Sequence, residues 1–450
     1  AVRISGADPD FHRRDLWESI EAGNFPEYEL GLQIFTEEQA ASFPFDILDA
    51  TKIVPEELVP LTPVGKLVLD RNPDNFFAET EQVAFCTSHV VPGIDFTNDP
   101  LLQGRNFSYQ DTQLTRLGGP NFHEIPINSP IVQIQNNQRD GFHRQAINRG
   151  RVNYEPNSLG GGCPFQAGKM GFTSFPERMP SEDKVRGKPE LFAEHYGQAR
   201  LFWQSQTPAE QNHIVNAFRF ELTRVQTPAV RQRMLALLAN INETLVSRVA
   251  EGLGLEVPAP LPRASEAPVP AYPDSPALSI LSRPGETGIK GRRVALLVGN
   301  GVDGKSVGKL YASLLKAGAV PRLVGNMLGK VASVDGDKLD IEISVEAGPS
   351  VMYDGVIVPD GAASAEALGR NALVIEFLRE QYRHGKPILV YGAGSTLLSK
   401  AMLPQTLPDG SADPGQILGD PANLEAALDG FATALAGHRV YARETDPPTV

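Results

Sequence analysis

The chain has 450 residues, 54 of them acidic and 41 basic, for a formal net charge of −13, and 41% are apolar. That balance argues against nucleic acid and anionic membranes as partners, while the apolar share is enough for two or three independent cores. No apolar run approaches the roughly 18 residues that cross a bilayer, so a soluble protein is expected. Two cysteines are too few for a disulfide framework, which fits a reducing, cytoplasmic setting.

In chain order, a charged, helix-like stretch at 13–20 comes first, with no charged-then-apolar leader pattern. Residues 1–70 hold two strand-like runs, 27–35 and 58–69, separated by proline-rich and acidic loops, as expected for the last strands of an antiparallel barrel. From 71 to 198 there is little periodicity and much Asn, Pro and Gly, the pattern of a segment that wraps around other elements. One helix interrupts it, at 100–117. Asp99 reads as its N-cap, Pro100 as its first residue and Gly118-Gly119 as its stop. A helical domain at 199–255 follows, with helices opened by Thr207-Pro208 and Thr227-Pro228. The first carries Ile214, Ala217, Phe218 and Leu222 on one face, and the second carries Val230, Met234, Leu237, Ile241, Leu245 and Val249. Stripes at that spacing are core.

Eight prolines between 256 and 288 then interrupt every period, giving a semi-rigid linker at 256–289. From 290 to 450, apolar strands at 293–298, 322–324, 355–358 and 388–391 alternate with helices at 306–317 and 365–384. That pattern predicts a doubly wound α/β domain on a parallel sheet, and an α+β class for the chain as a whole.

The chemistry concentrates on the helix at 100–117. Arg105, Tyr109, Gln113 and Arg116 recur at spacings of four, four and three, which puts all four on one face. A free tyrosine has a pKa of about 10 and ligates iron poorly at neutral pH unless a cation stabilises the phenolate. Arg105, one turn away, can be that cation. The face thus offers an anionic oxygen at its middle and a spare guanidinium, Arg116, at its end, which suits a ferric porphyrin with a propionate. The alternative is a half-buried packing tyrosine with solvated neighbours.

The run RNFSYQDTQ at 105–113 resembles the proximal haem-ligand signature of the monofunctional haem catalases. The similarity continues through RLGGPNF at 116–122 and IPIN at 125–128, and appears upstream in NPDNFFAE at 72–79 and FTNDPLLQG at 96–104. NYEPNS at 153–158 extends it downstream. The resemblance is dense from about residue 7 to 255 and looser beyond. It implies Tyr109 as the proximal iron ligand, Arg105 as its hydrogen-bonding cation, Arg116 as a propionate partner and Gln113 on the proximal face, with haem (b or oxidised d type) as cofactor and hydrogen peroxide as substrate. Tyrosine ligation of catalase haem is a general property of that family, and an anionic phenolate favours the oxidised states of iron. The family also implies a homotetramer.

Such an enzyme needs a distal histidine and asparagine as well. No stretch here resembles that distal motif, and none of the histidines has a distal setting, so the chain reads as the C-terminal part of a large-subunit catalase that supplies the proximal side. Cys86 stands 23 residues before Tyr109, where large-subunit members carry a histidine or cysteine that can become bonded to the β-carbon of the haem tyrosine. Its alternative is a buried, inert thiol. Cys163 receives no role.

The region after the linker resembles the flavodoxin-like, amidotransferase-like C-terminal domain of large-subunit catalases. The turn where related enzymes hold a nucleophilic cysteine is Tyr391-Gly392-Ala393-Gly394, with no thiol, so catalysis there is not expected. A competing reading comes from GNGVDGKS at 299–306, which matches the phosphate-binding pattern G-x-x-x-x-G-K-[ST] between a strand and a helix, with Lys305 on the phosphates and Asp360 as the magnesium-binding acid. A third reading makes this half a non-catalytic chaperone or assembly module.

Overall fold

In a computed structural model, the described residues are 2–91, 93–131, 140–154, 157, 159, 174, 187–282 and 288–450. Cys163 and half of the run at 153–158 lie outside them. The chain forms two compact units, one of Glu27–Leu67 and Arg71–Arg283, the other of Ala1–Pro26, Val68–Asp70 and Pro284–Val450. Among the described residues no helix is long and apolar enough to cross a membrane.

In the first unit, β1 (Glu27–Leu32) pairs with β2 (Thr62–Val68), shorter than either expected run. Glu27 meets Lys66 while Gly31 faces Leu61, so the partner numbers fall as the strand numbers rise and the pair is antiparallel. The helix α1 spans Pro100–Leu117, the bounds its sequence announces. Asp99 accepts a hydrogen bond from the Leu101 amide, and Gly118 closes the helix at φ 81°, a left-handed conformation that favours glycine.

Four helices follow: α2 (Gly197–Gln204), α3 (Pro208–Arg224), α4 (Pro228–Leu238) and α5 (Glu243–Leu253). Thr207 and Glu210 form a reciprocal capping box at the start of α3, whereas the Thr227 side chain makes no capping bond. The single stripe expected from Val230 to Val249 is in fact two helices. Asn242 breaks it, because its extended backbone and its side-chain bond to the Leu245 amide begin a new helix there. The break shifts the register, so Leu235, Leu238, Val246 and Ala250 join Leu245 and Val249 in the core with Val215 and Trp203, while Ile241 packs only at its margin.

The second unit is built on six parallel strands: β3 (Arg293–Leu297), β4 (Val320–Gly325), β7 (Ile343–Ser344), β8 (Gly355–Val358), β9 (Ile388–Tyr391) and β10 (Gln416–Gly419). Their order is β10-β9-β8-β3-β4-β7, and every neighbouring pair is parallel. Period-two alternation divides the core in two. Val294, Leu296, Ile357 and Leu389 pack with helices α6 (Gly304–Lys316) and α9 (Leu424–Ala436), while Ala295, Leu297, Val356 and Val390 pack with α8 (Ala372–Arg383). Helices therefore cover both faces.

The helix expected over 365–384 is two, α7 (Ala362–Leu368) and α8. Gly369 ends the first, and Asn371 caps the second by accepting from the Leu373 amide. A hairpin of β5 (Gly329–Ala332) and β6 (Lys338–Ile341), antiparallel, is inserted after β4.

Candidate functional site

Three of the four candidate residues of α1, Tyr109, Gln113 and Arg116, meet one neighbouring segment, 81–87. The Tyr109 ring takes the edge of Phe85 at a centroid distance of 5.3 Å and an interplanar angle of 76°. Gln113, buried, donates from Nε2 to the Phe85 carbonyl at 3.0 Å. Arg116 donates to the Glu81 carbonyl at 2.7 Å, and Thr87 donates to Asn106 at 2.8 Å. The helical spacing of the sequence thus becomes a shared face, and the 81–87 segment is the surface it lies on.

Arg105 donates to the Tyr109 phenol oxygen at 3.3 Å, and its guanidinium carbon lies 5.1 Å from the ring centroid. Both contacts place positive charge where an anionic phenolate needs it. One expectation requires correction: the guanidinium of Arg116 is not spare. Besides the Glu81 carbonyl it faces the Glu81 carboxylate at 3.5 Å, because the segment that packs on α1 brings an acid to the end of the face. Both side chains are half exposed, so this pair is weak and exchangeable.

Cys86 is a free, buried thiol, with Sγ 3.0 Å from the Ser88 hydroxyl. It sits between two residues, Phe85 and Thr87, that contact α1 at Tyr109 and Asn106. Two features escaped the sequence reading. The Gln113 Oε1 is buried without a hydrogen-bond partner among the described residues. Close to Cys86 in sequence, His89 stacks on Phe122 at 5.8 Å and meets the His123 ring at 6.0 Å, and burial lowers the pKa of both imidazoles. Isolated histidines in irregular segments carry no periodic signal that would pair them.

The loop at 299–306 has the phosphate-binding spacing without the phosphate-binding geometry. Its amides are committed within the protein: Gly301 to the Ala332 carbonyl at 2.7 Å, Asp303 to the Asp360 carbonyl at 2.9 Å, and Lys305 to the Asp335 carboxylate at 3.3 Å. The Asp303 carboxylate caps α6 through the Ser306 amide and also takes the Ser306 hydroxyl, leaving that hydroxyl engaged by an acid. Lys305 faces Asp335 at 3.3 Å. Asp360 accepts from the amides of Gly361 and Ala393, both at 2.8 Å, and so ties the turn at 391–394 down. An anion already occupies the place a phosphate would take, so the nucleotide-binding reading fails on geometry.

Comparison with known families agrees with the fold. The chain matches the catalase family model over residues 1–161, the catalase-related immune-responsive model over 189–253, and the C-terminal domain found in long catalases over 290–445. It is 49% identical to Catalase HPII of Pseudomonas putida, over 99% of this chain and 61% of the relative. With Catalase-B of Dictyostelium discoideum the identity is 43% over 99% of this chain and 63% of the relative, and with Catalase-2 of Bacillus subtilis it is 42% over 98% and 62%. The architecture is thus that of a catalase domain followed by a long-catalase C-terminal domain. The chain is similar to large-subunit catalases along nearly all of its length, and it spans about three fifths of the length of the curated relatives it matches.

Proposed function

We propose that this chain forms the proximal side of a catalase haem site, in a protein that disproportionates hydrogen peroxide to water and oxygen. The observation that carries the reading is the Arg105–Tyr109 pair on α1, a phenol oxygen with a guanidinium donor at 3.3 Å, in a chain whose catalase-family match spans that helix. The donor set fits haem: a phenol oxygen with a guanidinium donor beside it, a ring in T-shaped contact with Phe85, and a second guanidinium farther along the same face.

Haem, when bound, supplies the redox chemistry of peroxide disproportionation. This chain's residues act on its proximal side. Tyr109 would present its oxygen to the metal, with Arg105 hydrogen-bonded to that oxygen. Gln113 holds the Phe85 carbonyl and, through it, the ring packed against the phenol. Arg116 would hold a propionate in place of the Glu81 carboxylate. The distal histidine and asparagine that the reaction needs are proposed to lie outside this proximal side.

Cys86 is proposed to form a thioether with the Tyr109 β-carbon. A carbon–sulfur bond replaces one S–H and one C–H, a two-electron oxidation balanced by reduction of one peroxide to water. In full assembly the protein is proposed to be a cytoplasmic homotetramer, carrying haem b or its oxidised d form, with a barrel completed beyond β1 and β2 and a flavodoxin-like, non-catalytic C-terminal domain. Oxygen release from peroxide by the haem-loaded protein tests the reading: Tyr109→Phe should abolish it, and full activity in that variant would refute it.

A further inference from the structure

The second unit contains a cavity of about 250 Å³ that the haem chemistry does not use. Its apolar lining comes from Val345, Val351, Leu373 and Phe377, on the sheet side and on α8. Its charged lining is Arg3, Glu346, Glu376, Glu380 and the half-buried His384. Three carboxylates and one guanidinium thus line it. Burial lowers the pKa of His384, so at neutral pH the imidazole adds no compensating charge.

Glu380 is the informative member. Its side chain is only 8% exposed, which is costly for a carboxylate unless its oxygens are satisfied. Oε1 is satisfied, accepting from Arg383 at 2.9 Å and pairing with Arg3 at 3.1 Å. Oε2 has no hydrogen-bond partner among the described residues. The His384 Nδ1 lies 3.3 Å from it but spends its bond on the Glu380 carbonyl at 2.8 Å. Arg3 also reaches Glu376 at 3.4 Å, so one exposed arginine divides itself between two acids.

We infer that this cavity is a binding site for a small organic cation, an amine, amidine or guanidine on a short apolar body, and that Arg3 holds the cation position in the absence of ligand. The apolar body lies against Leu373 and Phe377, and the cationic head takes the position of the Arg3 guanidinium between Glu380 and Glu376. The volume, just below the roughly 300–1,000 Å³ of ordinary ligand pockets, limits the body to about one ring. Arg3 and the ligand compete for the same carboxylates, so removing the guanidinium exposes the site and should not destroy it.

Benzamidine, a planar amidinium on a single ring, is the probe, titrated into the whole protein by calorimetry and by ligand-observed NMR. Saturable binding is expected, about tenfold weaker in Glu380→Gln, several-fold tighter in Arg3→Ala, and lost in Leu373→Trp, where an indole fills the cavity from a 44% exposed position that tolerates it. Circular dichroism checks the fold of each variant, and should Glu380→Gln unfold, Arg3→Ala and Leu373→Trp decide. Absence of saturable binding to the parent, or binding that Leu373→Trp and Arg3→Ala leave unchanged, overturns the assignment.

Discussion

Replacing Arg105 with methionine keeps much of the side chain's length and apolar stem while removing its charge and its bond to Tyr109. Hydrogen bonds to charged groups contribute about 1.5–3 kcal/mol, and at 3.3 Å this one is long, so the lower end applies. A loss of about 1.5 kcal/mol corresponds to roughly tenfold weaker haem retention. Arg105→Lys keeps a point charge without the planar guanidinium and should fall between the two. The assay is transfer of haem from the loaded protein to an excess of a haem-scavenging globin, followed by absorbance, with retention ordered parent, lysine, methionine. If the methionine variant holds haem as tightly as the parent, Arg105 does not stabilise a phenolate and the proximal assignment loses its physical basis.

Other expectations follow from individual contacts. Gln113→Leu deprives the Phe85 carbonyl of its donor and should lower stability by about 1 kcal/mol, seen as a lower melting temperature and a looser haem spectrum. Burial alone would raise the Asp413 carboxyl, but its bonds from Arg443 at 2.7 and 3.0 Å outweigh that and hold it below the usual carboxylate range. A depressed folded pKa means that this stabilisation is present above the unfolded value of about 3.9 and is lost as pH falls through the lower folded one. Breaking the pair with Arg443→Leu strands a buried carboxylate and should cost about 3–5 kcal/mol in urea unfolding at pH 7. If the variant unfolds at the parent's midpoint, the pair is not structural. Magnesium-ATP should produce no saturable heat with the parent or with Lys305→Ala, and binding that the substitution removes would reinstate the phosphate-loop reading.

Much of the site was legible because it sits on a helix with explicit ends. Asp99-Pro100 and Gly118 fixed α1 to the residue, and the spacing of Arg105, Tyr109, Gln113 and Arg116 fixed its face. The surface that face meets was not legible, since Phe85 and Glu81 lie in an irregular segment whose contacts are set by tertiary packing. The long helices expected at 228–249 and 365–384 failed for one reason. A periodic apolar stripe runs on through Asn242 and Asn371, whereas an asparagine side chain that accepts an amide two or three residues on starts a new helix. Strands β5 and β6 were invisible because they are four residues each and mostly solvent-facing, with Lys330, Lys338 and Asp340 among them, and β10 because it is equally short. The loop at 299–306 shows the converse: the right letters at the right spacing, with Asp303 in the place of the phosphate.

The absorption spectrum of the haem-loaded protein, recorded beside Tyr109→Phe, tests the central claim most directly. Phenolate-ligated ferric haem has a characteristic Soret and charge-transfer pattern, and the account requires that pattern in the parent and its loss in the variant. The same bands in Tyr109→Phe, or no haem bound by the parent, would contradict it.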